Sequence, residues 1–110
     1  MGKVYLNKVS NGNIVLSGRP NGEKAREILK IAEKDISDKN YNIIIPNNIR
    51  TINPSYFLGL FSYSINNLGL KKFREKYNFI MESGEEISSD LNEDIEEGIE
   101  WALDDSVILS

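Results

Sequence analysis

The chain has 110 residues and a formal net charge of −4, which fits one domain that is long enough to bury a core without disulfides or metals. It contains neither cysteine nor histidine, which excludes disulfides, thiolate nucleophiles and the commonest transition-metal ligand. Any catalysis would have to use carboxylates, hydroxyls, lysine or arginine. We therefore expect a protein that is not an enzyme and uses no cofactor and no metal.

The charge is distributed unevenly along the chain. Residues 1–55 carry nine Lys and Arg against five Asp and Glu, whereas residues 56–110 carry four against twelve, and no basic residue follows Lys76. Nucleic-acid binding needs clustered positive charge, so we expect no direct nucleic-acid partner. No signal-peptide stretch opens the sequence, and no apolar run approaches the ~18 residues of a membrane span, which predicts a cytoplasmic protein without membrane contact.

The first two apolar segments predict a β-hairpin. Residues 3–9 roughly alternate polar with apolar side chains, and residues 14–17 form a second short apolar segment. Ser10-Asn11-Gly12-Asn13 stands between them, and its Asn and Gly residues tolerate the positive φ of a tight turn. Residues 3–18 are therefore predicted to be two antiparallel strands.

The next segments predict a helix, a buried strand and a second helix. An amphipathic helix over residues 22–36 follows from apolar side chains at helical spacing, namely Ala25, Ile28, Leu29, Ala32 and Ile36. Residues 41–45 are apolar on nearly consecutive positions, as in a central strand that is covered on both faces. Asn53 and Pro54 then form a typical helix start, and Gly69 predicts that this helix ends near Leu68.

The last segments predict a short helix over 70–77, a strand over 78–81 and a helix over 89–104. The core positions of that last helix are Leu91, Ile95, Ile99 and Leu103. The order of elements is thus ββαβαβα. It predicts an α/β domain in which helices pack against a mixed sheet of about four strands that begins with the hairpin.

Three segments of the chain carry a resemblance to a known family. They are Arg19…Asn21-Gly22-Glu23…Arg26, Asn42-Ile43-Ile44-Ile45-Pro46 and Ile52-Asn53-Pro54-Ser55-Tyr56-Phe57-Leu58-Gly59-Leu60. In order and spacing they resemble the STAS-like domain of unknown function, a distant relative of the STAS domains of anti-sigma-factor antagonists. The resemblance covers residues 22–80 and implies a single STAS-like domain over residues 1–110. It also implies a non-catalytic regulatory module that binds a kinase-like ATPase or another signalling protein.

The sequence departs from this family where the antagonists accept phosphate. The buried strand runs into Pro46-Asn47-Asn48 instead of an acidic residue. Alignment places Asn53 at the acidic position that precedes the phosphoacceptor and Pro54 at the phosphoacceptor itself, with Ser55 one residue later. These departures argue against control by serine phosphorylation.

The resemblance places the partner site where a loop meets the second helix, at Arg50, Asn53 and Ser55. The helical spacing adds three positions opposite the predicted core side of that helix. We expect Tyr56 and Tyr63 to be exposed there, with Gly59 between them, and to anchor a partner, because tyrosine is enriched at binding hot spots.

The last predicted helix suggests an alternative function. It carries Glu93, Glu96, Glu97 and Glu100 without any basic residue. Like charges at i, i+4 and acids near a helix C-terminus both destabilise a helix. One hypothesis is a small acidic inhibitor, of phage or immunity type, that blocks a basic or nucleic-acid-binding surface of a target protein. The other is a solvated face without a partner. In every case we expect the chain itself to fold as a monomer.

Overall fold

The chain forms an α/β fold in the computed structural model, which describes residues 2–109 and the side chains of residues 2–104. The elements in chain order are β1 (Gly2–Tyr5), α1 (Asn7–Ser10), β2 (Val15–Leu16), α2 (Arg19–Ile28), α3 (Ile31–Asp35), β3 (Tyr41–Ile45), β4 (Thr51–Ile52), α4 (Pro54–Leu68), α5 (Leu70–Lys76), β5 (Tyr77–Met81) and α6 (Ser89–Leu109). Strands β1, β3 and β5 form one sheet in the order β1-β3-β5, and β2 pairs with β4 in a second. The predicted α/β class is therefore confirmed.

The predicted hairpin over residues 3–18 is wrong. Strand β1 pairs with β3 in parallel, and β2 pairs in parallel with β4 in the other sheet. The turn signal is real, but it ends the one-turn helix α1, where Asn11 has φ 54° and Gly12 has φ 76°. The N–H groups of Val9 and Ser10 both bind the Leu6 carbonyl, so the backbone becomes helical directly after β1. Every described strand pairing is parallel, and the sheet is not mixed.

The predicted helix over residues 22–36 begins earlier and is interrupted. Helix α2 begins at Arg19, and Lys30, with φ 56°, separates it from α3. The helical phase restarts after this break, so Ile31 is buried although it lies outside the predicted apolar face. Ile28 and Ile36, which were predicted to face the core, are 62% and 86% exposed.

In the second half of the chain the predicted helices and the last strand form, but two details differ: β4 was not predicted, and Leu103, a predicted core position of α6, is 38% exposed whereas Ala102 is buried. Helix α4 spans the predicted residues and ends at Gly69, which has φ 83° and whose N–H binds the Ile65 carbonyl. Asn53 has the extended conformation of a residue that precedes a helix, but its side chain makes no capping hydrogen bond. The start of α4 therefore depends on this backbone conformation and on Pro54 at the first helical position.

The core lies on one face of the three-stranded sheet. Tyr41, Ile43 and Ile45 of β3 belong to it, together with a cluster of neighbouring rings whose centroids lie 5.3–6.5 Å apart, namely Phe57, Phe61, Phe73, Tyr77 and Phe79. The opposite face is only partly covered: Ile44 of β3 is buried there, whereas the other side chains are exposed or half-buried, namely Lys3, Tyr5, Asn42, Asn78 and Ile80. Parallel sheets usually have both faces covered, so this small sheet is an exception.

Helix α4 is packed between two other helices at close range. A Cβ atom at Gly22 of α2 would overlap the Tyr56 carbonyl oxygen, and a Cβ atom at Gly59 of α4 would overlap the Arg19 carbonyl oxygen. On its other side, a Cβ atom at Gly98 of α6 would lie 2.6 Å from the Phe57 ring. The absence of side chains at these glycines therefore allows α2 and α6 to approach α4.

We expect Gly59→Ala to lower the free energy of unfolding by about 1–3 kcal/mol, because the added methyl group meets backbone of α2. Helix propensity alone would favour alanine by about 1 kcal/mol, so the sign of the change is informative. Urea denaturation measures it, with Asn66→Ala at an exposed position of α4 as the control. A stability equal to or above that of the wild type would show that α2 and α4 are not in contact at Gly59.

Candidate functional site

The three predicted residues at the start of α4 lie at or near the surface. Arg50 is exposed, and Asn53 and Ser55 are half-buried. The strand between them is fixed on two sides, since the Arg50 N–H donates to the Ile14 carbonyl at 2.8 Å and the Ile52 N–H donates to the Asp94 carboxylate at 3.0 Å. This corner of the molecule is therefore rigid and lies beside α6.

The expectation that Tyr56 faces solvent is wrong, since its exposed fraction is 3%. Gly59 is likewise buried, because α2 packs on the side of α4 that was predicted to be free. Tyr63 is 67% exposed, as expected, and the Arg26 guanidinium lies 5.5 Å from the centre of its ring. The predicted patch is thus divided, because Tyr56 and Gly59 lie inside the protein between the corner at the start of α4 and Tyr63.

A groove of about 460 Å³ lies beside Tyr63 between α2 and α4. Both helices contribute charged or polar side chains to it, and its lining residues are Arg19, Glu23, Arg26, Glu27, Leu58, Gly59, Ser62 and Tyr63. The groove is mixed in charge and has one large exposed aromatic side chain at its edge. This is the composition of many protein-binding surfaces.

A buried polar network lies under this groove and is centred on Asp35. The Asp35 carboxylate is 9% exposed and accepts hydrogen bonds from Arg26 at 2.8 Å, from Ser64 at 2.8 Å and from Tyr77 at 2.6 Å. Arg26 also donates to the Leu60 carbonyl at 2.9 Å. The network joins α2, α3, α4 and β5, and its partners satisfy the buried carboxylate, so we assign it a structural role.

Sequence reasoning missed this network. Its members are far apart in the chain, and Asp35 lies near the end of the predicted helix over residues 22–36, where no buried partner was predicted for it. No spacing pattern in the sequence connects Asp35 with Ser64 and Tyr77.

The acidic side chains of α6 between Glu93 and Asp104 divide into two groups. Glu93, Glu97 and Glu100 are exposed and, with Asp104, follow one another at helical spacing along one line, which we call the acidic ridge. Trp101 is 46% exposed beside this ridge. No basic residue of α6 itself lies along the acidic ridge.

Two acids of α6 have partners inside the chain. Glu96, which was predicted to belong to the acidic face, forms a two-bond ion pair with Arg74 at 2.7 and 3.0 Å. These bonds hold the pKa of Glu96 below its usual value. Asp94 accepts the Ile52 N–H, as described above. Glu96 is therefore less available to a partner than the acidic ridge.

A groove of about 650 Å³ lies between α5, β5 and α6. Arg74 and Glu96 both line it, so the ion pair lies at the groove rather than on the acidic ridge. Within residues 2–104, no group of three Asp, Glu, His or Cys side chains is placed to hold a metal ion. None of the described helices combines the length and the apolarity needed to cross a lipid bilayer.

We expect Tyr77→Phe to lower the free energy of unfolding by about 1–3 kcal/mol, because it removes a donor from the buried Asp35 carboxylate. Burial and the bond to Asp35 also raise the pKa of Tyr77. The folded protein therefore keeps this proton above pH ~10, where the unfolded chain releases it. The resulting stability is fully present below pH ~10 and is lost as the pH rises further.

Urea denaturation between pH ~7 and ~11 measures both effects, with Tyr63→Phe as the exposed control. The stability of Tyr77→Phe should depend less on pH above ~10 than that of the wild type. Identical pH profiles for wild type and Tyr77→Phe would contradict the buried hydrogen bond.

Comparisons with protein-family models, with curated proteins and with solved structures find no match to this chain. The STAS-like resemblance therefore stays a prediction that depends on the three segments quoted above. The surfaces that remain as functional candidates are the acidic ridge with Trp101, the rigid corner at the start of α4, and the groove beside Tyr63.

Proposed function

We propose that this chain is a non-catalytic protein-interaction module that binds a basic surface of a partner protein through the acidic ridge. The observation that carries this proposal is that Glu93, Glu97, Glu100 and Asp104 are all exposed on one line of α6. A helix with this arrangement is less stable than one with mixed charges, because like charges at i, i+4 repel. Attraction of a basic partner gives these acids a role that offsets that cost.

The exposed Trp101 side chain supports a specific contact with the partner protein in addition to electrostatic attraction by the acidic ridge. It is 46% exposed beside the acidic ridge, and Leu103 is 38% exposed nearby. Tryptophan is the residue most enriched among binding hot spots, and such an anchor is usually surrounded by polar side chains. We therefore expect the partner to carry basic residues around an apolar pocket, as a protein that binds nucleic acid or another polyanion does.

The carboxylates themselves favour binding over catalysis. Acid–base catalysis by two carboxylates requires two groups that face each other across a cleft and have separated pKa values. The acidic ridge follows one exposed line of a helix, which is a convex surface. Asp35, the buried carboxylate, is already bound by three donors. Neither arrangement offers a pair of carboxylates that flank a substrate.

The test begins with capture of the partner. A photoreactive side chain at position 101 should crosslink the basic protein in the native host, whereas the same group at position 36, which is 86% exposed and far from α6 in sequence, should not. Mass spectrometry identifies the crosslinked protein, and the purified pair is then used for binding measurements.

We expect Glu93→Lys, Glu97→Lys and Glu100→Lys together to weaken binding by at least about tenfold, with a loss of salt dependence. The matched control is Glu33→Lys, Glu75→Lys and Glu82→Lys, which changes the net charge equally at exposed positions outside the acidic ridge and outside the groove beside Tyr63. Calorimetric titration at about 50 and about 300 mM salt measures both variants. Equal losses in the two variants would show that only the net charge matters and would reject the acidic ridge as the site.

A second candidate is the regulatory interface implied by the STAS-like resemblance, with a kinase-like ATPase or another signalling protein as partner. Two observations favour it. Tyr63 is 67% exposed at the edge of the groove between α2 and α4, and Arg50 is exposed at the rigid corner. An aromatic contact of this kind depends little on salt, which separates it from binding through the acidic ridge.

If this second interface is used, Tyr63→Ala should weaken partner binding by about thirtyfold or more and should leave stability within about 0.5 kcal/mol. Tyr5→Ala removes another exposed tyrosine from a different part of the surface and serves as the control. Normal binding of Tyr63→Ala to a partner that the triple Lys variant no longer binds would exclude this interface and leave the acidic ridge.

A further inference from the structure

Strand β5 forms one edge of the three-stranded sheet, because the strand order is β1-β3-β5. Successive N–H groups of a strand point to opposite edges, so only alternate residues of β5 can pair with β3. The Glu82 N–H donates to the Ile45 carbonyl of β3 at 2.8 Å. Ile80 and Asn78 therefore also face β3, whereas the backbone N–H and carbonyl of Phe79 point to the free edge.

The chain itself closes both ends of this free edge but not its middle. At one end, the Tyr77 N–H binds the Phe73 carbonyl of α5. At the other end, the Met81 N–H donates to the Glu85 carbonyl at 3.1 Å. Between them, the N–H and carbonyl of Phe79 have no hydrogen-bond partner among the residues that the structure describes. Unpaired backbone groups at a sheet edge are a template for another strand.

The open part of the edge borders the groove of about 650 Å³ between α5, β5 and α6, which we call the β5 groove. Four consecutive residues of the strand, 77–80, line it, and Phe79 is half-buried, so solvent reaches part of this residue. The loop after Glu85 makes no further backbone hydrogen bond with β5, and its residues Glu86 and Ile87 also line the groove. The space beside Phe79 that this loop would fill in a regular hairpin therefore stays open.

The other edge of the sheet differs from the β5 edge. The Leu6 N–H donates to the Ile44 carbonyl of β3, so the backbone groups of Lys3 and Tyr5 point to the free edge of β1. Lys3 is exposed there, and an edge lysine opposes the addition of another strand. Strand β5 contains no charged residue, so its edge lacks this protection.

We propose that the β5 groove binds an extended peptide segment of a partner protein, which pairs with the Phe79 N–H and carbonyl as an added strand. A single strand needs only ~4.8 Å beside β5 and can enter a groove. A second copy of this chain does not fit, because its own β5 edge lies between the same walls and two recessed edges cannot meet. The acidic ridge contributes no residue to the lining, so this proposal is independent of the proposed function.

The lining also indicates the chemistry of the peptide segment. A residue that pairs with Phe79 has its side chain on the same face of the sheet as the Phe79 ring, which packs against the core. Ile87 is half-buried at the groove, so an apolar side chain is favoured at this position. The charged lining residues are Arg74, Glu86 and Glu96, whose charges sum to −1. The segment is therefore neutral or basic rather than acidic.

Amide hydrogen exchange tests the open edge in the free chain. The Phe79 amide should exchange at least about tenfold faster than the amides of Ile80 and Glu82, because only those two are paired with β3. NMR measures the three rates in one sample. Equal protection of Phe79 and its two neighbours would show that the edge is already paired and would overturn the proposal.

The peptide probe is selected from a phage-displayed library of linear peptides of about ten residues, longer than a typical strand, with the full chain as the target. Asn92→Trp places a large side chain at an exposed position that lines the groove and should weaken binding of the selected peptide at least about tenfold. Asn66→Trp on the exposed side of α4 is the control and should bind it like the wild type. In the complex, exchange of the Phe79 amide should slow by at least about tenfold.

Synthetic copies of this peptide, each N-methylated at one residue, test strand pairing without any protein variant. Alternate N–H groups of an added strand face β5, so N-methylation should weaken binding about tenfold or more at every second position and little between them. The proposal is overturned if no peptide is selected, or if N-methylation shows no alternation. It is equally overturned if folded Asn92→Trp binds the peptide as tightly as the wild type.

Discussion

The contact between α2 and α4 at Gly22 and Gly59 is the constraint on which the rest of the structure depends. Neither residue has a side chain, so each helix lies directly against backbone of the other. Helix α2 thereby covers one side of α4, α6 covers another, and the ring cluster above the sheet covers a third. Most of α4 is consequently buried, and it reaches the surface chiefly at Tyr63 and beyond.

The same contact positions the buried charges. Arg26 lies one turn after Gly22, and its guanidinium reaches the carbonyl of Leu60, the residue after Gly59. The break at Lys30 then returns the chain so that Asp35 meets this guanidinium. A buried ion pair is tolerated only when its geometry and its further hydrogen bonds are good, and here Ser64 and Tyr77 supply those bonds. The helix contact and the network therefore constrain each other.

The sequence predicted the parts of the fold in which one strong local pattern was enough. Pro54 and Gly69 mark the ends of α4, and the acids of α6 reach the surface because the helix keeps its phase over many turns. The prediction of a hairpin over residues 3–18 was wrong for two reasons. The apolar segments are too short for their pattern to distinguish a strand from a helical turn, and the parallel partner strands lie far away in the chain. The predicted helix over 22–36 failed because nothing in the pattern marks Lys30 as left-handed.

The candidate sites show the same division. The phase of the single helix α6 determines that the acidic ridge is exposed. The exposure of Tyr56 instead depends on which helix packs against α4, and the pattern of one sequence does not show this. The hydrogen-bond network of Asp35 contains side chains from four elements that are distant in the sequence, so no local sequence pattern predicts it. The exposure of Glu93, Glu97 and Glu100 was therefore predicted correctly, whereas that of Tyr56 was not.

The all-parallel pairing also bears on how the chain reaches its native state. In the β3–β5 pair, Asn42 and Asn78 meet across 36 residues, and β1 reaches β3 only after the whole of α1, α2 and α3. The described strands form no hairpin, so each strand pair joins residues that are far apart in the sequence. The chain therefore loses the entropy of closing a long loop before the contacts of that strand pair can stabilise it. Helices can form early because their contacts are local, whereas the strands can pair only after the intervening helices have packed. The chain should consequently fold more slowly than a helical bundle of its size.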